Sequence, residues 1–467
     1  MIKRAFLVTV AFSFFAAVIT PSALGQTARM PLLQDIKVQK EEPIPSATPL
    51  VKKTGSSSPT GVAPGMAVAR RTSVAALAEI DIPGTSGIII ESEHGTLVFE
   101  SYADTPFNPA SNVKVATAYA VLKTFGPDFR FITGVWTDGA IDASTATLNG
   151  NLYVSGRDPI FGYEHAMAIA NELNRLGIRK IEGDVYVTSN FVVNYNRSAS
   201  RSGNSLVAAM DGGRRGATVN RAWNNYLMNS GKFREGQIVP SVTTTGSLQI
   251  SGIPAGAKLL FSHESAPMRE ILKVTLSYSN NFLSERLGDM LGGHEAVARV
   301  VRRDIRATED QFALASSSGL GINRVTARAQ LELLKKTKSL LAKHKMKLSD
   351  IMPVAGIDDG TLRGRFGGDL FKGSVVAKTG TLRRTDRGVS TLSGEFVTNQ
   401  GKFFFVIFNQ VGGVGRFRSF QNFLVPLAQG ALGGAKPMAY APVHMERRLA
   451  STRIKYPART RTSLDDE

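Results

Sequence analysis

Ser111 and Lys114 stand three residues apart, a spacing that could support nucleophilic catalysis. Residues three apart on a helix share one face, so the lysine amine can reach the serine hydroxyl. A serine hydroxyl is a poor nucleophile at neutral pH. A lysine can act as its base only if burial or a nearby positive charge lowers the lysine pKa. The pair therefore predicts a serine nucleophile with a neutral lysine as base. Taken singly, the serine fits a helix N-cap and the lysine a surface charge equally well.

Two other short polar motifs could complete such a site. Ser279-Asn280-Asn281 lies within a helical apolar pattern over residues 269–291. A second motif stands at the end of a predicted strand and consists of Lys378, Thr379, Gly380 and Thr381. Another Lys-Thr-Gly, at residues 53–55, has no predicted strand around it, so its context differs. A common site requires that three distant stretches of chain fold into one pocket.

The apolar pattern predicts an α+β fold around these motifs. Apolar residues recur with helical spacing over 113–122, directly after Ser111. The segments 375–378, 389–396 and 403–408 predict successive strands of one sheet. A helix beside an antiparallel sheet is the α+β arrangement, with Ser111 at the start of the helix.

The composition limits what the chain can do. Its 467 residues contain no cysteine, which excludes disulfides, thiolate metal ligands and a cysteine nucleophile. The six histidines have no metal-ligand spacing and no cofactor fingerprint is present, so neither a metal nor a cofactor is predicted. A formal net charge of +18 favours a polyanionic neighbour, such as acidic lipid or an anionic cell wall. Basic residues without interleaved aromatic residues do not suit a nucleic-acid groove, so no nucleic acid is predicted.

The two ends of the chain differ from its centre. A positive start and an uncharged apolar run over residues 5–19 predict a secretory signal peptide over residues 1–25. An uncleaved anchor is the alternative, but the run is shorter than the roughly 20 residues that span a bilayer. Residues 26–70, rich in Pro, Ser, Thr and Lys, predict a disordered linker. Residues 431–467 predict a flexible basic tail, which either stays in solvent or touches the wall or membrane surface.

The motifs resemble those of the D-alanyl-D-alanine carboxypeptidase/endopeptidase family typified by penicillin-binding protein 4, the low-molecular-mass class C penicillin-binding proteins. Ser-x-x-Lys, a Ser-Asp-Asn-like triplet and Lys-Thr-Gly are the joint signature of penicillin-binding proteins and class A β-lactamases. The resemblance runs from about residue 85 to 428 and includes the segments ADTPFNPASNVKVATAYAVL, LNGNLYVSGRDPIFG, LGIRKIEGDVYV, SAPMREILKVTLSYSNNFLSERL and MPVAGIDDGTLRGRF. The long gap between Lys114 and Ser279 favours this family over β-lactamases, whose first two motifs lie closer together.

The resemblance implies a penicillin-binding-protein/β-lactamase-like transpeptidase domain, in which helices flank an antiparallel sheet. Residues 71–135 and 265–430 would form this domain, and residues 136–264 would form a smaller inserted region. The predicted signal peptide implies export to the periplasm, and no later stretch is long and apolar enough to predict a transmembrane span after its cleavage.

The resemblance also implies a role for each motif residue. Ser111 attacks the carbonyl between two D-alanines and Lys114 takes its proton. Ser279 relays a proton to the leaving amine, and Asn281 hydrogen-bonds the substrate amide. Backbone N–H groups of Ser111 and Thr381 form the oxyanion hole. Lys378, Thr379 and Thr381 receive the terminal carboxylate, and Gly380 belongs to the same substrate-binding motif. Lys378 also supplies positive potential that helps to keep Lys114 neutral.

The sequence departs from the family pattern at several positions. Asn280 stands where aspartate is frequent, and Ser316-Ser317 stand where the family often has Asp-Gly. Residues 383–386 form an extra loop after the third motif, whose effect on substrate choice stays open. Asp158 resembles a family aspartate that contacts the amino group of the stem peptide, while an ordinary Asp-Pro turn explains it equally well.

The predicted function is removal of D-alanine from peptidoglycan stem peptides through an acyl-enzyme on Ser111, which β-lactams should also acylate. Two rival functions stay open: a β-lactamase-like hydrolase, and a non-catalytic penicillin-binding or wall-binding protein on the same fold. The balance between carboxypeptidase and endopeptidase action and the oligomeric state are not predicted.

Overall fold

The computed structural model describes residues 70–457. The predicted signal peptide, residues 1–25, lies outside this range, as does the predicted linker, residues 26–70, apart from its last residue. Among the described residues, no helix combines the length and apolar character needed to cross a membrane.

The described part of the chain forms nineteen strands and ten α-helices, which occur in runs of either kind. The strands are β1 (Arg71–Thr72), β2 (Thr85–Ser92), β3 (Leu97–Ser101), β4 (Pro106–Phe107), β5 (Ile132–Thr137), β6 (Ala140–Asp142), β7 (Thr147–Asn149), β8 (Leu152–Ser155), β9 (Lys180–Glu182), β10 (Val185–Val187), β11 (Thr243–Thr244), β12 (Leu248–Ile250), β13 (Lys258–Glu264), β14 (Phe312–Ala313), β15 (Arg324–Thr326), β16 (Val375–Leu382), β17 (Val389–Thr398), β18 (Gly401–Gln410) and β19 (Arg453–Lys455). The helices are α1 (Val113–Phe125), α2 (Tyr163–Arg175), α3 (Ala199–Met210), α4 (Ala217–Ser230), α5 (Met268–Tyr278), α6 (Asn281–Asp289), α7 (His294–Ile305), α8 (Ala327–Lys343), α9 (Val414–Ala431) and α10 (Met445–Leu449).

The main sheet is antiparallel and carries helices on both faces. Its strand order is β1-β3-β2-β18-β17-β16, so β16 lies at one edge. On one face Ile90 and Phe405 pack with Leu424 of α9 in a common apolar core. On the other, Phe404 lies under the ammonium group of Lys338 on α8. Burial of each large apolar side chain contributes about 1.5–3 kcal/mol, which explains why the continuous apolar run over residues 403–408 forms a central strand buried on both faces.

A second, mixed sheet has the order β12-β10-β8-β5-β13-β19 and lies with α2, α3 and α4 around its own core. Ile169 and Leu173 of α2 pack in this core with Leu206 of α3 and Trp223 of α4. Strands β5 and β13, which border the predicted inserted region, run antiparallel side by side. The chain thus enters and leaves the region at neighbouring strands. The boundaries at 136 and 264 stay a prediction.

The pattern over residues 269–291 predicts that the second motif lies inside one helix. The structure shows instead that the helix is broken at this motif. Helix α5 ends at Tyr278, and Ser279 adopts a left-handed conformation with φ of 58°. Asn280 then caps α6, because its side chain accepts a hydrogen bond from the backbone N–H of Leu283 at 3.0 Å. The apolar period continues through this break, which is why the sequence pattern misses it.

The structure also differs from the predicted flexible tail between residues 431 and 457. Helix α10 buries Met445 and Leu449, and β19 pairs antiparallel with β13. The Arg448 guanidinium donates to Glu270 at 2.6 Å. A few apolar and charged side chains therefore hold this segment against α5 and β13. Of the predicted tail, residues 458–467 lie outside the described range.

A buried ion pair fastens the loop that precedes the third motif. The ammonium group of Lys273 on α5 donates to Asp358 at 2.6 Å and to the carbonyls of Ser349 and Met352. Both charged side chains are almost completely buried. Burial lowers the pKa of Lys273 to about 8, while the Asp358 charge opposes this shift. Because both side chains are shielded from water, removal of one charge leaves the other buried without a counter-charge.

We expect Lys273→Met to reduce the free energy of unfolding by about 3–5 kcal/mol, because the Asp358 carboxylate stays buried without its cation. Urea denaturation measures this loss. The double variant Lys273→Met/Asp358→Leu should recover much of it. As a control, Lys180→Met breaks an exposed pair with Glu182 and should cost less than about 1 kcal/mol. Equal losses for the two single variants would contradict a role for the buried pair.

Candidate active site

Ser111 lies in a short 3-10 turn, Ala110–Asn112, that leads into α1. Ala110 has a φ of 46°, a strained value for a residue with a side chain. The Asn108 side chain holds this turn by accepting the backbone N–H of Ala110 at 3.0 Å. On the other side, the Asn112 amide donates to Thr391 of β17 at 2.7 Å. The turn is thus fixed from both sides, with Ser111 partly exposed at its centre.

Lys114 is buried directly behind the serine. Its Nζ lies 3.0 Å from Oγ of Ser111. The same nitrogen donates to the side-chain oxygen of Asn281 at 2.7 Å and to the carbonyl of Ser318 at 2.6 Å. Burial lowers the pKa of Lys114 to about 7, and the negative charge of Glu285 partly opposes this shift. At neutral pH a substantial fraction of the amine is unprotonated and able to accept the serine proton.

Glu285, on α6, is a supporting residue that the motif analysis does not identify. Its carboxylate accepts the backbone N–H groups of Ser317 and Ser318 at 3.2 and 2.9 Å. It therefore fixes the loop whose carbonyl faces Lys114. Its position four residues after Asn281 puts both on one face of α6, a relation that the sequence spacing already contains.

Lys378 brings the third motif to the second. Its buried Nζ donates to Oγ of Ser279 at 2.8 Å and to the carbonyl of Thr379 at 2.7 Å. Burial lowers the pKa of Lys378 well below its ordinary value, and the charge of Lys114 adds to this effect. Two charged ammonium groups in one buried site repel each other, which disfavours the state in which both lysines are protonated.

Two glycines allow the motifs to approach the nucleophile turn. A side chain on Gly319, whose φ is 90°, would place a carbon 1.9 Å from the Ala110 carbonyl oxygen. A side chain on Gly380 would lie 2.1 Å from Oγ1 of Thr391 and 2.9 Å from the Ala110 side chain. Strand β16 and the loop before residue 320 therefore close directly on the turn that carries Ser111.

The mouth of the site is lined by hydroxyls and arginines. Oγ1 of Thr379 donates to Oγ1 of Thr361 at 2.8 Å. Oγ1 of Thr381 accepts from the Arg418 guanidinium of α9 at 3.0 Å. The extra loop 383–386 is tied down by Asp386, which the side chains of Arg324 and Asn108 reach at 2.8–3.1 Å.

Asp158 lies apart from the serine–lysine centre, in the region of the second sheet. One carboxylate oxygen accepts the backbone N–H of Ile160 at 3.0 Å, and the other has no partner among the described residues. Burial raises the pKa of Asp158 to about 7, and the nearby Glu164 charge adds to this rise. Tyr195 lies near both acids, and its ring contacts that of Phe282 at 5.4 Å, next to Asn281.

Within residues 70–457, no three acidic or histidine side chains are arranged to hold a metal ion. The arrangement instead combines a partly exposed hydroxyl, a buried amine of lowered pKa and a second hydroxyl–lysine pair. These are the parts needed for acyl transfer through a serine ester.

The model of the D-Ala-D-Ala carboxypeptidase 3 (S13) family matches residues 73–203 and 230–421. The chain belongs to this family. The predicted family and enzyme class, a serine-type D-Ala-D-Ala carboxypeptidase, are thereby confirmed.

Individual relatives are distant but extensive matches. The chain is 27% identical to carboxypeptidase DacB of Mycolicibacterium smegmatis over 408 residues, 80% of this chain and 86% of that protein. The penicillin G-acylated predatory endopeptidase of Bdellovibrio bacteriovorus, solved with its immunity protein, has a TM-score of 0.65 and 20% identity, covering 80% of this chain and 100% of that one. Penicillin-binding protein 4 of Haemophilus influenzae has a TM-score of 0.53 and 21% identity, covering 74% and 97%. These similarities confirm the predicted α+β fold class.

The lowered pKa of Lys114 predicts the pH dependence of acylation. Only the neutral amine can accept the Ser111 proton, so kcat/KM should rise about tenfold per pH unit at low pH and level off above about pH 7. An ordinary lysine, with a pKa of about 10.4, would put this limb some three units higher. Because Lys378 titrates in the same pocket, the apparent value belongs to the pair.

The measurement is the acylation rate between about pH 5 and about pH 9. Lys114→Arg, which keeps the proton, should reduce the rate by at least about a thousandfold. Lys123→Arg, on the exposed end of the same helix, should leave the profile unchanged. A flat profile in the unmodified protein would refute the neutral-amine mechanism.

Proposed function

We propose that this chain is a serine-type D-alanyl-D-alanine carboxypeptidase/endopeptidase that cleaves peptidoglycan stem peptides through an acyl-enzyme on Ser111. The observation that supports this most directly is the buried amine of Lys114, 3.0 Å from the serine hydroxyl. Burial makes that amine a base at neutral pH, and its two other contacts aim it at the hydroxyl.

In the proposed acylation step, Oγ of Ser111 attacks the carbonyl between two D-alanines while Lys114 accepts its proton. Backbone N–H groups of Ser111 and Thr381 stabilise the developing oxyanion, which in other enzymes is worth about 3 kcal/mol per donor. The C–N bond then breaks and the leaving amine requires a proton. The proton that Lys114 took from Ser111 passes to this amine by relay through Ser279, which accepts a hydrogen bond from Lys378, so Lys114 is neutral again. Water releases the shortened peptide from the ester.

Substrate binding is assigned to the exposed edge of β16. Asn281 presents its amide at the site while its oxygen orients Lys114. Close packing at Gly380 holds β16 against the turn that carries Ser111. Thr379 and Thr381 are therefore within reach of a peptide whose scissile carbonyl lies at Ser111. The Thr381 hydroxyl accepts from Arg418, so its own proton is available to a carboxylate. The Thr379 hydroxyl donates to Thr361 and would exchange that bond for one to the substrate.

Asp158 is proposed to bind the side-chain amine of the stem peptide. Its free carboxylate oxygen is buried beside Glu164, and burial raises the pKa of both carboxyls to about 7. An incoming ammonium group would favour ionised carboxylates and so be bound strongly. The contact between Tyr195 and Phe282 links this acidic pocket to Asn281.

The enzyme is proposed to act in the periplasm and to be acylated by β-lactams. The family acts on D-Ala-D-Ala peptides, and the similar endopeptidase of Bdellovibrio bacteriovorus is described as penicillin G-acylated. The predicted signal peptide, outside the described residues, would deliver the protein to that compartment.

Exposure to benzylpenicillin should add one penicilloyl mass per chain, and peptide mapping should place it on Ser111. Ser111→Ala should abolish both the adduct and release of D-alanine from a synthetic pentapeptide. Ser144→Ala, an exposed serine between β6 and β7, should change neither. An adduct that hydrolyses promptly would favour the β-lactamase-like alternative. An adduct without D-alanine release would favour the wall-binding alternative, and D-alanine release by Ser111→Ala would disprove the assigned nucleophile.

Asp158→Asn should raise KM about ten- to a hundredfold for a pentapeptide with a free side-chain amine at its third residue, because one charged contact is lost. The same peptide with that amine acetylated should be affected less than about twofold. Asp142→Asn, an exposed acid of the same region, serves as the control. Equal losses for both peptides would assign Asp158 to the Asp-Pro turn instead.

A further inference from the structure

Lys378 is poorly placed to be the cation that binds the substrate carboxylate. Its ammonium group is fully buried and already donates to Ser279 and to the carbonyl of Thr379. Burial and the neighbouring Lys114 both disfavour its protonated form. A permanent cation closer to the open edge of β16 would meet the carboxylate at lower cost in desolvation.

Arg418 supplies such a cation. It lies in the first turns of α9, is exposed, and donates to the hydroxyl of Thr381, the last residue of the third motif. The same threonine is the proposed source of one oxyanion N–H. A carboxylate one residue beyond the scissile bond lies only about 4 Å along the chain from the reacting carbonyl. The arginine is therefore on the side of the site where the leaving residue must lie.

Arg365 reinforces this position. It is partly buried, and its guanidinium donates to the side chains of Gln421 and Asn422, which lie on α9 one turn after Arg418. Burial lowers the pKa of Arg365 to about 10, and the positive charge of Arg418 adds to this shift. Within residues 70–457, neither arginine forms an ion pair with an acidic side chain. Two neighbouring guanidinium groups without an acid favour an anionic ligand.

We propose that Arg418, supported by Arg365, binds the carboxylate on the leaving-group side of the substrate together with the hydroxyl of Thr381. This inference rests on the proposed function and adds a specificity residue to it. Arg418 contacts the substrate, while Arg365 acts as a positioning residue that raises the local positive potential. The guanidinium geometry suits two parallel hydrogen bonds to one carboxylate.

The test compares two peptides that differ only at the C-terminus, one ending in D-Ala-D-Ala and one in its carboxamide. Arg418→Gln should reduce kcat/KM for the free acid about ten- to a hundredfold, mainly through KM, and change that for the amide less than about twofold. Arg418→Lys should recover part of the loss, because it restores charge without the paired donors. Arg416→Gln is the matched control, since that arginine faces Asp81 on another side of α9.

A second measurement does not depend on turnover. Acylation by benzylpenicillin, which carries a carboxylate, should slow in Arg418→Gln, while acylation by its methyl ester should not. Equal effects on acid and neutral probes, or no effect on either, would overturn the assignment to Arg418 and leave the proposed function intact. Failure of the unmodified protein to form any penicilloyl adduct or release D-alanine would instead defeat the proposed function itself.

Discussion

The removal of one ammonium group from water is the constraint on which this site depends. An amine buried in a protein loses several kcal/mol of hydration unless it sheds its proton or meets acceptors. Lys114 has acceptors on Asn281, Ser318 and Ser111, which belong to three separate stretches of chain. Helix α1, the start of α6 and the loop before residue 320 must therefore meet at a single point. Each of the two helices also buries apolar side chains, such as Val115 of α1 and Leu287 of α6, which anchor it in the protein interior.

That convergence places strained backbone conformations next to the nucleophile. Ala110 and Ser279 both hold positive φ values, which cost roughly 1 kcal/mol or more for residues with side chains. Surrounding contacts repay this: Asn108 binds the backbone N–H of Ala110, and Asn280 caps the helix that follows Ser279. The strain has a clear geometric result. The left-handed conformation of Ser279 ends α5 and turns the Ser279 hydroxyl to Lys378. Helix α6 then starts at Asn281, whose side chain faces Lys114.

The sequence identifies the catalytic residues more completely than it identifies the residues that support them. The serine–lysine pair, the second motif and the third motif follow from short local patterns, and the family and α+β fold from their order. The break at Ser279 is invisible because the apolar period runs through it. Glu285 and Arg418 lie outside any motif, and only tertiary contacts reveal their partners. The sequence predicts a flexible tail over residues 431–467 because few bulky apolar residues occur there. Between residues 431 and 457, however, Met445 and Leu449 are buried, β19 pairs with β13 and Arg448 donates to Glu270.

The cations of the site divide into two physically different kinds. Lys114 and Lys378 are buried, and burial lowers the pKa of both, so they can exchange protons during the reaction. Arginine keeps its proton at any working pH, so Arg418 and Arg365 cannot serve as bases but can hold an anion throughout. An arginine in the place of Lys114 could not accept the serine proton, because its guanidinium stays charged. The placement of each cation type, buried behind the hydroxyl or exposed at the edge of β16, therefore separates proton transfer from substrate binding.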